Sequence, residues 1–124
     1  MADGRPAVGI GHVTLRVREM AKAESFYRAL GMLPIMARAE MAILKMRGGT
    51  HLLLFRAKQT PKRGPVRTFD FMVDNVPAVR RHLLKEGMDV SGIKREGRGG
   101  HTFFTVRDPD GRLLTIYSSH DREV

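Results

Sequence analysis

Two imidazoles and a carboxylate, His12, His51 and Asp70, are the side chains of this sequence best suited to chemistry. Two histidines with one carboxylate make a donor set for Fe(II), Mn(II) or Zn(II). Without a metal the same groups would line a small-molecule pocket through hydrogen bonds, with Asp70 serving either as a general base or as the ion-pair partner of Arg16 or another arginine. Nucleophilic catalysis has no comparable foothold. The chain lacks Cys and any Gly-x-Ser-x-Gly, and Ser25, Ser91, Ser118 and Ser119 have no recognisable neighbours. Gly97-Arg98-Gly99-Gly100 does not fall between a strand and a helix, so it reads as a mobile loop and not as a phosphate-binding fingerprint. His82 falls on the polar face of a helix, His101 beside a glycine pair, and His120 in the tail.

The elements that must position these residues come in two copies. Gly11-His12-Val13-Thr14-Leu15-Arg16-Val17 and the helical stretch ending at Gly31-Met32 are echoed by Thr68-Phe69-Asp70-Phe71-Met72-Val73 and a stretch ending at Gly87-Met88. One offset of 56 residues carries His12 onto Thr68, Gly31 onto Gly87 and Met32 onto Met88. A repeat of this length, present twice, implies two strand-helix-strand units and excludes a solenoid.

Alternation in His12 to Val17 predicts a half-buried strand with Val13, Leu15 and Val17 on one side and His12, Thr14 and Arg16 on the other. Met20 to Leu30 carries Ala23, Phe26, Tyr27 and Leu30 at helical spacing, and Gly31 ends it. Strands follow at Ile35 to Ala39, Met41 to Met46 and His51 to Phe55, the last two joined by Arg47-Gly48-Gly49-Thr50. Gln59 to Pro65 has linker composition. The second copy reads as a strand over Thr68 to Val73, a helix from Pro77 to Glu86 with Val79, Leu83 and Leu84 as its apolar face, and strands at Val90 to Lys94, Thr102 to Val106 and Leu113 to Tyr117. Asp108-Pro109-Asp110-Gly111 is a turn signal.

With 124 residues, 42% of them hydrophobic, the chain suits one domain with a real core: unit one about 9–57, a linker at 58–66 and unit two about 67–118. The lack of Cys excludes disulfides and thiolate metal sites. No apolar run is long enough to span a bilayer and the N-terminus is no signal peptide, so the expected location is cytoplasmic. The net charge of +9 favours acidic partners. Its basic residues are dispersed, with concentrations only at Lys58 to Arg67 and Lys94 to Arg98, and no row of exposed aromatics is present for base stacking. A nucleic-acid partner is therefore the weaker reading, behind a small anionic ligand.

Gly-His-Val-Thr-Leu-Arg-Val, then Phe26-Tyr27 before Leu30-Gly31, and Arg107-Asp108-Pro109-Asp110-Gly111 before an apolar strand resemble the vicinal oxygen chelate superfamily over Gly9 to Ser118. That superfamily includes glyoxalase I, bleomycin resistance proteins, fosfomycin resistance proteins and extradiol dioxygenases. The resemblance implies an α+β fold of two tandem βαβββ units forming a curved mixed sheet with an open cleft, commonly completed in a homodimer. Strand alternation would then turn His12, Thr14, Arg16, His51, Leu53, Phe55, Thr68, Asp70, Met72, Leu113, Thr115 and Tyr117 toward the cleft.

Metal-dependent members place ligands at four equivalent strand positions, which here hold His12, Leu53, Thr68 and Thr115. Leu53 and Thr115 stand where relatives often have Glu, and Thr68 where many have His. One imidazole with two hydroxyls would hold a divalent metal weakly. A rearranged site of His12, His51 and Asp70 would need compensating shifts, since a two-residue step moves a strand side chain by roughly 6.5 Å. Two functions of different class follow. The preferred one is a metal-free small-molecule binding protein of the bleomycin resistance type, taking an anionic or aromatic ligand. The alternative is a glyoxalase-like lyase or isomerase, or a ring-cleavage dioxygenase, using Fe, Mn, Ni or Zn.

Overall fold

Alternating side chains in His12–Val17 form strand β1, and their period of two decides which of them reach the core. The structure is a computed structural model describing residues 4, 6–97 and 100–119. Arg98, Gly99 and His120 of the sequence reading lie outside these described residues. The chain forms two compact units, Met1–Pro61 and Lys62–Val124. Both are α+β with a mixed sheet of their own; unit one is a β-α-β-β-β run, and unit two is the same run preceded by one further short strand. No helix among the described residues is long and apolar enough to cross a membrane.

Unit one continues through α1 (Met20–Ala29), β2 (Leu33–Ala37), β3 (Met41–Lys45) and β4 (His51–Arg56). Its strand order is β1-β4-β3-β2, with β1 parallel to β4 and the other pairs antiparallel. Leu15, Val17, Ala42, Leu44, Leu52 and Leu54 are buried with Ala23, Phe26 and Tyr27 of α1. Each fully buried leucine contributes about 1.5–3 kcal/mol, so a one-residue slip would forfeit the whole set and register is fixed. Gly31, at φ +121, follows the helix, and the amides of Gly31 and Met32 donate back to the carbonyls of Arg28 and Tyr27. Strand β2 begins at Leu33, before the expected Ile35, because Pro34 is tolerated on an edge strand.

Unit two contains β5 (Gly64–Pro65), β6 (Phe71–Val73), α2 (Val76–Lys85), β7 (Lys94–Arg95), β8 (Thr102–Arg107) and β9 (Arg112–Ser118). Strand β9 pairs antiparallel with β8, and β5 and β6 both run parallel to it. Phe104, Val106, Leu114 and Ile116 are buried with Val76 and Leu83 of α2. Leu84, expected on the apolar face of that helix, is 52% exposed. The helix turns instead on Val76, which lies a turn before the expected set.

Three strand expectations are corrected here. Gly64–Pro65, read as linker, is a strand, because the amides of Gly64 and Val66 donate to the carbonyls of Gly111 and Leu113 while Pro65 needs no donor between them. The strand expected over Thr68 to Val73 shrinks to Phe71–Val73. Pro65 pairs with Leu113 and Phe71 with Ile116, so six steps of one strand oppose three of the other, and residues 66–70 loop out. Val90 to Lys94 reduces to a Val90 bridge and β7, because the hydroxyl of Ser91 accepts the amide of Thr105 in place of ladder bonding and Gly92 follows.

Candidate functional site

Register places the polar and apolar side chains of unit one in three rows on the face away from its core. Residues paired across neighbouring strands share a side of the sheet. The rows are His12, His51 and Lys45; then Thr14, Leu53 and Ile43; then Arg16, Phe55 and Met41. His12 and His51 are brought together, with ring centroids 6.1 Å apart and planes tilted by 37°. Among these nine residues there is no carboxylate, while Arg16 and Lys45 carry fixed positive charge.

Unit two builds a different surface from the same alternation. Met72, Tyr117 and Phe103 form one row across β6, β9 and β8, and Thr115 pairs with Thr105 in the next. The Phe103 and Tyr117 rings lie 5.1 Å apart, and His101 meets Tyr117 edge-on at 5.9 Å. Thr68 and Asp70, expected on this face, fall in the looped-out residues before β6 and are exposed. Asp70 makes no ion pair with another described residue. The buried ionic group of this unit lies elsewhere. Asp108 pairs with Arg112 at 2.9 Å and takes the amides of Asp110 and Arg112, each at 2.9 Å, within the hairpin between β8 and β9.

His12, Thr14, Arg16, His51, Leu53 and Phe55 therefore share one face of unit one, and Thr115 and Tyr117 one face of unit two. Among the described residues no group of three or more His, Asp or Glu is placed to hold a metal ion. The set at the inherited ligand positions, His12, Leu53, Thr68 and Thr115, offers one imidazole, a hydrocarbon and two hydroxyls, and does not fit a catalytic divalent metal. Sequence reasoning missed Lys45, Phe103 and the contact of His101 with Tyr117. Extending the alternation of β4 and β9 onto β3 and β8 would have found the first two.

A family model described as the Glyoxalase/Bleomycin resistance protein/Dioxygenase superfamily matches residues 9–116. Metallothiol transferase FosB of Shouchella clausii (strain KSM-K16) is 33% identical over 119 residues, spanning 89% of this chain and 80% of that protein. The solved structure of lactoylglutathione lyase from Agrobacterium tumefaciens matches with a TM-score of 0.74 at 20% identity, over 93% of this chain and 96% of its own. A bleomycin resistance determinant encoded on the transposon Tn5 matches with a TM-score of 0.67 at 21% identity, over 90% of this chain and 98% of its own. At such identities these two structures share the fold, and the fold hosts more than one chemistry.

Proposed function

Because the chain belongs to the glyoxalase/bleomycin resistance protein/dioxygenase superfamily, we propose that it is a small-molecule binding protein of the bleomycin resistance kind, acting without the metal of its metal-dependent relatives. One observation carries the reading: the positions where those relatives bind metal hold His12, Leu53, Thr68 and Thr115, which include no carboxylate. The faces of the two units support it. Ile43, Leu53, Phe55 and Met41 in one, and Met72, Phe103 and Tyr117 in the other, supply apolar contact area, and a few polar groups would set orientation. Within this reading His12, Thr14, Arg16 and His51 of unit one and Thr68, Asp70, Thr115 and Tyr117 of unit two are the ligand contacts. The charge of +9 favours a ligand with an acidic group. The protein would act in the cytoplasm as a homodimer, a habit of the superfamily.

Metal content and tyrosine emission test this together. The chain has no Trp and two Tyr, of which Tyr27 is fully buried and Tyr117 half-buried. Protein purified without an affinity tag is expected to be metal-free and to stay so with Fe, Mn, Ni or Zn. Titration with a panel of small aromatic acids is expected to change an emission signal that Tyr117→Phe removes. Near-stoichiometric metal that disappears in both His12→Ala and His51→Ala would overturn the reading.

A second reading, a divalent-metal-dependent lyase, isomerase or dioxygenase, is favoured by the approach of His12 to His51 and by a relative named a metallothiol transferase. Asp70 would have to complete its donor set.

A further inference from the structure

We propose that the outward face of α2, Arg81, Leu84 and Lys85, is a docking surface for a partner protein, which it holds through an acidic segment that also carries apolar side chains. Val76 and Leu83 of this helix are buried and Val79 half-buried, so these three turn toward the sheet. At 3.6 residues per turn Arg81, Leu84 and Lys85 then fall on the opposite side. All three are exposed, Leu84 by 52%. The surface belongs to the helix that covers the core side of the unit-two sheet, whereas Met72, Phe103 and Tyr117 look out from the other side. It is therefore independent of the ligand-binding reading.

Two features of this face work against the helix in isolation. Arg81 and Lys85 stand four residues apart, where like charges repel. Leu84 leaves its apolar side chain in water while its neighbour Leu83 is fully buried. Neither cation has an ion-pair or hydrogen-bond partner among the described residues. The helix of unit one differs on both counts. The 56-residue offset sets Ser25, Arg28 and Ala29 at the matching positions, and Arg28 lies 3.7 Å from Glu24. From Val76 to Lys85, α2 contains no acid at all, and Glu86 follows off the line of the face. Arg80 is already engaged, its Nε donating to the Ser91 carbonyl at 2.7 Å. The helix dipole favours a cation in the last turn and so accounts for Lys85, but not for Arg81 or Leu84.

An apolar side chain flanked by two cations has the anatomy of a protein interface, apolar at its centre and polar at its rim. Its complement is an apolar side chain set between carboxylates, as one face of an acidic amphipathic helix provides. Other occupants match only part of it. Nucleic acid offers phosphates to Arg81 and Lys85 and little to Leu84. A bilayer surface calls for an apolar helix face, and that of α2 is buried against the sheet. A second copy docked helix on helix about a two-fold axis would set these cations against themselves.

The test follows backbone amide signals of the isotope-labelled full chain by NMR. The probes are a short synthetic peptide with glutamate and leucine at helical spacing, the same peptide with alanine for leucine, vesicles of phosphatidylcholine with phosphatidylserine, and a short DNA duplex. Expected is a saturable shift of the α2 amides with the glutamate-leucine peptide, and binding at least about fivefold weaker for the alanine peptide. Leu84→Ala should weaken the first peptide by a similar factor. Arg81→Gln combined with Lys85→Gln should weaken it about tenfold and flatten its salt dependence. All three side chains are exposed, so these variants keep the core intact. No shift in α2, or shifts centred on Lys58 to Arg67 instead, would overturn the proposal. Equal binding of the two peptides, unaffected by Leu84→Ala, would reduce the surface to unspecific charge and overturn it too. A larger α2 response to the vesicles or to the duplex would make the partner a membrane or a nucleic acid, and the proposal would fall.

Discussion

In unit one the opening strand pairs with the closing strand over six residues, His12–Val17 against His51–Arg56; in unit two the equivalent pairing covers three, Phe71–Val73 against Ile116–Ser118. The repeat would set Thr68 opposite Leu113 as His12 is set opposite His51. Leu113 is paired with Pro65 instead. The two units thus share the helix and the closing hairpin, while unit two carries a further segment, β5, at the start of its ladder. The face that results is aromatic where unit one is cationic.

The hairpins sharpen the contrast, and the largest expected effect lies there. In unit two the Asp108 side chain is fully buried and satisfies two amides and Arg112. Asp108→Ala should cost about 3–5 kcal/mol, because the buried Arg112 guanidinium loses its carboxylate partner at 2.9 Å while Asp110 stands farther off at 3.5 Å. An ion pair of unit one, Glu40 with Arg56 at 3.3 Å, joins side chains 74% and 55% exposed. Glu40→Ala should cost about 0–1 kcal/mol. Urea denaturation of the two variants measures both, and equal losses would break the comparison.

A smaller effect separates the turns themselves. Gly48 and Gly111 lie at φ +75 and +88, so alanine at either meets the left-handed penalty of about 1–2 kcal/mol. A methyl at Gly48 meets nothing within 4 Å, whereas at Gly111 it would stand 2.7 Å from the Arg63 guanidinium carbon. Gly111→Ala is therefore expected to cost only slightly more than Gly48→Ala, since the exposed Arg63 guanidinium, the far end of a flexible side chain, has to move aside. The excess should vanish when both are compared in an Arg63→Ala background. An excess that persists there would place the crowding in the backbone of the turn.

How far the sequence was legible follows from the same ladders. His12 to Val17 and His51 to Phe55 were readable because both strands are regular and buried on one side, so alternation is complete. Thr68 and Asp70 were misplaced because residues 66–70 loop out between two pairing segments, three more than the facing strand has there, and composition cannot show where a ladder pauses. Gly64 and Pro65 carry every sign of a linker and pair anyway, since a parallel strand asks for a donor only at alternate residues. The row of His12, His51 and Lys45 needed the pairing of β3 with β4, a relation between segments that no single segment encodes.

The helices give the smallest and most separable contrast. Asn75 precedes α2 with φ −123 and ψ 88, and its side-chain oxygen accepts the amide of Ala78 at 3.0 Å. Glu19 precedes α1 with nearly the same backbone, φ −121 and ψ 100, and no capping hydrogen bond. Asn75→Ala should therefore cost about 1 kcal/mol, the usual worth of a cap. Glu19→Asn should return stability of similar size to unit one, because the backbone already holds the cap conformation. The exposed Glu19–Lys22 pair that the substitution removes offsets little of it. Thermal melts of the two single variants and of the double variant decide the matter. Opposite shifts that cancel in the double variant would trace the difference between the helix starts to one side chain each, on a backbone that both copies share.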